Sequence, residues 1–261
     1  MNIRKKGKEN FLNLKTASAD ITFGTNILKI KVPSHLRRRL STRTKFLNDA
    51  LGGKGFTPST VTLFTGEAGA GKTTMALLTA DRMSKDSLVV FNTGEESLHQ
   101  VKMTAERLKL KNGFAAGQET HVPTFLEKVD KLREASPEKD LVIIIDSLQT
   151  LDDGKMPNGQ TNSKTPQRAL EMLTNYAKKT FATIIVIGQV NKGGEMAGAN
   201  ALKHIVDVKL HLGLVTSPKS PYMGARFLKT DKNRFGSSGH IFYLGLDSRG
   251  FREIARESAT V

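Results

Sequence analysis

The stretch Gly66-Glu67-Ala68-Gly69-Ala70-Gly71-Lys72-Thr73 constrains this chain more than any other, because it satisfies the pattern G-x-x-x-x-G-K-[ST] at every position. The apolar run Val61-Thr62-Leu63-Phe64-Thr65 before it predicts a buried strand, and Thr74 to Met83 predicts a helix, with Met75, Ala76, Leu78 and Thr79 placed to pack. Strand, loop and helix in that order are the context in which such a loop curls its backbone N–H groups around phosphate oxygens. Lys72 then reaches the β- and γ-phosphates of ATP, the Thr73 hydroxyl ligates Mg²⁺, and Gly66 through Thr74 line the nucleotide. The bland alternative is a glycine-rich turn that binds nothing.

Charge narrows the partner. The 261 residues carry 40 Lys and Arg against 25 Asp and Glu, a formal net charge of +15, which favours a polyanion such as nucleic acid over a small neutral substrate. A merely well-solvated basic protein is the competing reading. Zero cysteines exclude disulfides, thiol catalysis and cysteine-held zinc, and fit a reducing, cytoplasmic setting. No run approaches the roughly twenty apolar residues that span a bilayer, and the charged start at Met1 is followed by no apolar secretory core, so no membrane partner is expected.

Residues 1–44 read as a basic arm, with Arg4, Lys5, Lys6 and Lys8 in one cluster and Arg37, Arg38, Arg39, Arg43 and Lys45 around its end. Either cluster suits nucleic acid or solvent, or an oligomer contact. Between them Ile27 to Val32 alternates as an edge strand does, for pairing within the domain or on a neighbouring subunit. From residue 45 to 261 the pattern is one domain. Phe46 to Gly55 predicts a short helix and a glycine-rich turn; Leu88 to Asn92, Leu141 to Asp146 and Thr183 to Gly188 predict buried strands. Helices are predicted over Ser97 to Leu110, around Leu126 to Leu132, and from Pro166 with Thr165 as its cap. Strands near Ile205 to Leu212, Ala225 to Thr230 and His240 to Gly245 predict an antiparallel extension. The alternation through residues 61–188 argues for a doubly wound α/β sheet, with its ligand beyond the carboxyl ends of the strands.

Asp146 closes the strongest apolar run and is placed to hold Mg²⁺ beside the loop. Glu95-Glu96 follows the second core strand; Glu95 suits activation of the attacking water and Glu96 the start of the next helix, where an acid is also favoured by the helix dipole alone.

Four segments, Thr93-Gly94-Glu95-Glu96-Ser97, Ile145-Asp146-Ser147-Leu148-Gln149-Thr150, Glu195-Met196-Ala197-Gly198 and above all Lys232-Asn233-Arg234-Phe235-Gly236, make the chain from about Leu40 to Ile254 resemble the ATPase core of the RadA/Sms recombination proteins, within the RecA/DnaB class. The resemblance implies a RecA-like P-loop fold, a mainly parallel sheet flanked by helices with an antiparallel C-terminal extension. It implies a homo-oligomer, a hexameric ring, with ATP between subunits. On it, Glu95 is the water-activating carboxylate, Gln189 senses the γ-phosphate, and Lys232 and Arg234 approach the ATP of the adjacent subunit. The loops 152–165 and 191–200 then hold single-stranded or branched DNA, with Lys155, Lys164 and Lys192 at phosphates and Gly193 and Gly194 allowing close approach. The family's four-cysteine zinc element and its C-terminal protease-like domain have no counterpart here, so the expectation is a pared-down core.

Three functions follow as expectations: a DNA-stimulated ATPase that moves along single strands or promotes branch migration, an ATP-gated coating or helicase-loading protein, and a small-molecule phosphotransferase, which the net charge disfavours. Lys72→Ala is expected to abolish nucleotide binding in a titration with fluorescent ATP; parent-like affinity would exclude the phosphate-binding reading.

Overall fold

A strand of uninterrupted aliphatic residues such as Leu141 to Ile145 can only be satisfied by apolar layers on both sides, and this chain supplies them. The computed structural model describes residues 21–190 and 199–258. Its helices are α1 (Ser34–Arg37), α2 (Lys45–Ala50), α3 (Lys72–Met83), α4 (Leu98–Arg107), α5 (Val122–Glu134), α6 (Thr165–Thr180) and α7 (Ala199–Ile205). Its strands are β1 (Val61–Gly66), β2 (Ser87–Thr93), β3 (Ala115–Gly117), β4 (Asp140–Asp146), β5 (Thr183–Gln189), β6 (Val208–Leu214), β7 (Arg226–Asn233), β8 (Ile241–Asp247) and β9 (Gly250–Glu257). Val142 and Ile144 of β4 pack with Phe46, Met75, Leu78 and Val101 on one face of the sheet. Ile143 and Ile145 pack with Phe125, Val129, Leu170 and Leu173 on the other. Each such side chain, fully buried, contributes about 1.5–3 kcal/mol.

Among the described residues nine strands form one sheet in the order β3-β2-β4-β5-β1-β6-β7-β8-β9. Strands β3 through β6 are parallel, and β6 to β9 pair antiparallel. The expected mainly parallel sheet with an antiparallel extension is therefore present, with its turning point elsewhere: β6 was expected in the extension, yet it lies parallel to β1. Residue Ile205 closes α7 and is not in a strand. Two strands escape the sequence reading, β3 because three small residues carry no pattern, and β9.

At the N-terminal side, Ile27 to Val32 does not form the expected strand. Ile27–Lys29 is a 3-10 turn capped by the Asn26 side chain, and Ile27 and Leu28 are exposed. Of the second basic cluster, Arg38 pairs with Asp140, Arg43 with Asp86, and Arg39 donates to the Phe235 carbonyl, so these cations are partly committed to the domain. Leu40 is buried and bridges to Phe56. Arg4, Lys5, Lys6 and Lys8 lie outside the described residues. Thr165 is the first residue of α6, not its cap: the cap position is Lys164, and the Thr165 hydroxyl accepts from the Asn162 N–H.

Sheet order delivers the phosphate loop. Strand β1 sits between β5 and β6 and ends at Gly66, level with Gln189 on one side and Leu212 on the other. A Cβ on Gly66 would stand 2.3 Å from the Leu212 carbonyl oxygen, so only glycine lets the chain leave the sheet there. Gly66→Ala is expected to cost about 1–3 kcal/mol in urea unfolding and to weaken ATP binding, because relief of the clash has to displace the loop; unchanged midpoint and affinity would contradict this.

Candidate active site

Beyond Gly66 the loop turns through Gly69 and Gly71, whose φ of +77° and +104° belong to the left-handed region. Gly71 is buttressed from below: a Cβ there would lie 2.8 Å from the Phe251 ring, so β9 supports the loop. Helix α3 then starts with no side-chain cap, which leaves its first-turn N–H groups for an anion. Glu67 is half-buried, Ala68 exposed and Ala70 buried, with the Ala70 N–H closing a turn onto the Glu67 carbonyl. Lys72 is 8% exposed and its Nζ donates to the same carbonyl at 2.8 Å. Burial pushes the Lys72 ammonium below its ordinary pKa, against the opposing pull of Asp146, Glu95 and Glu67.

The Thr73 hydroxyl donates to Asp146 Oδ2 at 2.6 Å, joining the start of α3 to the end of β4. Burial pushes the Asp146 carboxyl up; the Thr73 hydrogen bond resists, and the Glu95 and Glu96 carboxylates add to the rise. Thr74 follows half-buried in the same turn. Among the described residues no group of three or more His, Cys, Asp or Glu gathers to enclose a metal. A hydroxyl paired with one carboxylate fits Mg²⁺ nonetheless, since that ion takes one or two protein ligands and completes its shell with phosphate oxygens and water. The glycine cradle, Lys72 and the Thr73–Asp146 pair thus fit ATP with Mg²⁺, whose part is to neutralise charge developing on the phosphates.

Glu95 stands opposite. The Gly94 N–H donates to the Asp146 carbonyl at 2.8 Å, and a Cβ on Gly94 would collide with the Thr150 hydroxyl, so the turn carrying Glu95 is pressed against the end of β4. The Glu95 carboxylate accepts from the Ser147 hydroxyl and from Gln189 Nε2, the latter at 2.9 and 2.8 Å to its two oxygens. The Asp146–Ser147 peptide bond is cis. Glu96 precedes the helix and is not in its first turn; α4 is capped instead by a reciprocal pair, Ser97 and Gln100. Ser147, and Gln149, whose Nε2 donates to the Gln189 carbonyl, were not among the residues expected here. Both lie in the segment that suggested the resemblance, but a single sequence gives no sign of what a short polar side chain after a strand will touch.

Lys72, Thr73, Glu95, Asp146 and Gln189 are therefore together, and Lys232 and Arg234 are not with them. Strand β7 runs back along β6, so Lys232 is level with Lys209 while the phosphate loop leaves at the level of Leu212. Lys232 Nζ donates to the carbonyls of Lys203 and Val206, both at 2.7 Å, at the end of α7. Burial and then the neighbouring Arg234 push the Lys232 ammonium down. Arg234 stands 3.5 Å from the buried Asp207 carboxylate, which also accepts from the Val61 N–H and Lys178.

Of the residues expected at DNA, Lys155 and Lys164 are exposed in the loop between β4 and α6, whose base is held by the pair Asp153–Arg168. Lys192, Gly193 and Gly194 lie outside the described residues.

Asp146→Asn keeps the Thr73 hydrogen bond and removes a charge that burial disfavours. Because the folded pKa is raised, the native state gains stability as pH falls through it, so the cost of the charge is present at neutral pH and fades in acid. Asp146→Asn is expected to raise the urea midpoint at pH 7.5, to lose that advantage as the solution is acidified, and to hydrolyse no ATP; a lower midpoint at pH 7.5 would contradict the assignment.

A family model described as an AAA domain matches residues 31–195. The DNA repair protein RadA of Aquifex aeolicus is 30% identical over 85% of this chain and 47% of its own length. That of Haemophilus influenzae is 33% identical over 85% of this chain and 46% of its own length, so the chain spans about half of these relatives. Among solved structures, an ATPase domain superposes with a TM-score of 0.71 at 16% identity, covering 83% of this chain and 91% of that one, a likeness of fold. With its family match covering more than half of the sequence, the chain belongs to the AAA-domain family, as a RadA/RecA-like ATPase core.

Proposed function

We propose that the chain is an ATP hydrolase of DNA recombination, repair or replication that assembles as a ring, a hexamer, around single-stranded or branched DNA and uses ATP held between subunits to move along it. One observation carries this reading: the two cations of the Lys232–Arg234 segment sit at the amino-end level of β6, about 10 Å (Lys232) to about 17 Å (Arg234) along the strands from the level of Gly66, and away from Lys72 of the same chain. Cations at that end are useful to a phosphate only across a subunit boundary, where they neutralise charge in the transition state and make turnover depend on assembly.

Within one subunit the roles divide. Lys72 and the loop N–H groups bind the phosphates, Thr73 and Asp146 hold Mg²⁺, Glu95 activates water, and Gln189 contacts Glu95 at the point where the chain enters residues 191–200. The name borne by the relatives, DNA repair protein, and the net charge of +15 both support a nucleic-acid partner. Lys155, Lys164 and Lys192 then serve backbone contacts that are independent of base sequence and weaken with salt, with Gly193 and Gly194 beside them.

Turnover is expected to rise more steeply than linearly with protein concentration and to increase with single-stranded DNA. Arg234→Ala is expected to bind ATP normally and lose at least about tenfold in kcat; normal turnover by Arg234→Ala would exclude a site shared between subunits. Strand displacement separates movement from coating: ATP-dependent binding without displacement would assign the chain to coating or helicase loading.

A further inference from the structure

Strand β7 carries Lys232 and Arg234 at an end that the sheet holds on one side. Its register with β8 covers Arg226 to Lys229, whereas with β6 it continues to Asn233, and the Arg234 N–H adds one more bond, to the Asp207 carbonyl at 3.1 Å. The turn from Asn233 to Gly236 needs a second support if Arg234 is to stand in one place. Two features of the chain before β1 supply it.

Arg39 is the first. Its Nη2 donates to the Phe235 carbonyl at 2.7 Å, and its Nη1 donates to the Thr57 hydroxyl. The Phe235 N–H goes to the Asn233 side chain at 3.0 Å, so both backbone groups of the residue after Arg234 are engaged. Thr57 is itself fixed, since its carbonyl accepts from the Thr60 hydroxyl at 2.6 Å just ahead of β1. The backbone beside Arg39 is fixed too, because Leu40 and Phe56 exchange both of their hydrogen bonds, at 2.8 and 2.9 Å. Both acceptors of Arg39 are uncharged, so the contact is directional and is not an ion pair; a planar fork reaches two acceptors on opposite sides where a single ammonium does not. Gly52, after α2, is the second feature. A Cβ on Gly236 would stand 3.1 Å from the Gly52 Cα, and one on Gly52 would stand 3.3 Å from the Gly236 Cα, so the two turns meet backbone to backbone.

We propose that Arg39 is a positioning residue for Arg234: it ties the turn that follows Arg234 to the start of the strand that carries the phosphate loop, and so sets where Arg234 stands on the ATP of the adjacent subunit. The inference rests on the reading of the site as shared between subunits. Thr57 and Phe235 lie at the amino end of the sheet, whereas Lys72, Thr73, Glu95 and Asp146 gather at its carboxyl edge. Loss of Arg39 is therefore felt in the neighbour's turnover and not in ATP binding by its own subunit.

The test uses the full chain with Arg39→Ala, Arg39→Lys, Arg234→Ala and Lys72→Ala. Arg39→Ala is expected to bind fluorescent ATP as the parent does, and to lose about tenfold in kcat with KM unchanged. Arg39→Lys, which keeps the charge and one of the two bonds, is expected to lose less. The deciding measurement is turnover after two variants are mixed in equal amounts and reassembled. Lys72→Ala subunits bind no ATP but bring an intact Arg39 and Arg234 to a neighbour's site. Mixed with Arg39→Ala, they are expected to restore about a quarter of the parent's turnover, the share of interfaces in randomly mixed head-to-tail rings at which an intact loop meets an intact turn. A merely structural defect stays with the subunit that carries it and is not repaired by mixing. Arg234→Ala mixed with Lys72→Ala is the control and is expected to recover likewise.

Recovery in the control without recovery for either Arg39 variant overturns the inference and leaves the shared site standing, as does an undiminished kcat in Arg39→Ala. No recovery in any mixture overturns both.

Discussion

A parallel sheet buried on both faces has no room for charge along its length, and that constraint arranges the chemistry of this chain. Strands β1, β2 and β5 contain no ionisable residue, and β4 has one at each end, Asp140 and Asp146. Interior positions are taken by residues such as Ile143, Ile144 and Ile145, none of them accessible to solvent. Charge is displaced to the strand ends and the turns after them. Because the strands are parallel, their carboxyl ends fall on one edge, and Gly66, Glu95, Asp146 and Gln189 arrive there together from four separate segments.

What was legible in the sequence is what this constraint writes into it. A run such as Leu141 to Ile145 can hardly be anything but a doubly buried strand, and an acid directly after it has one place to be. The glycine loop was legible because few residues tolerate its geometry. Illegible were the features decided by distant partners. In β9, Phe251 and Ala255 are half-buried and Arg252 and Arg256 exposed as alternation requires, but Glu253 is half-buried and pairs with Arg256 while Ile254 is exposed, so the pattern is broken at its centre. Strand β6 borders β1 on one side and β7 on the other, and no local pattern says that one pairing is parallel and the other antiparallel. Ile27 to Val32 alternates correctly, but alternation without a neighbouring strand to supply hydrogen bonds does not make one. The Gln149–Gln189 contact spans forty positions of sequence and is invisible to any window.

The same logic treats the two ends of the sheet differently. At the carboxyl edge the polar groups are tied to one another: Thr73 to Asp146, and Ser147 and Gln189 to Glu95. At the opposite edge, Lys232 is tied to the last carbonyls of a short helix and Arg234 to Asp207. Those carbonyls form the negative end of α7, which receives a cation as well as a carboxylate would. Asp207 itself is buried and needs its partners: Val61 N–H and Lys178 satisfy one oxygen, leaving the other for Arg234. Arg234 is thus held by one carboxylate oxygen and, at 3.4 Å, by the His204 carbonyl while more than half exposed, a restraint of the kind that water screens.

The polar edge is costly for the fold as it stands. Burial drives Lys72 and Asp146 in opposite directions, the ammonium down and the carboxyl up, so each is pushed towards its neutral form. Their mutual attraction opposes both shifts without cancelling either, and Glu95 and Glu96 make the carboxylate less comfortable still. Polyphosphate answers the first deficit and a divalent cation the second, so the pair of ligands relieves what neither relieves alone. By mass action the fold must then be stabilised by ATP and Mg²⁺ together more than by either singly. Charges unfavourable to folding thus stand beside a core that could have been apolar, at the place where a bound nucleotide and its cation would correct them.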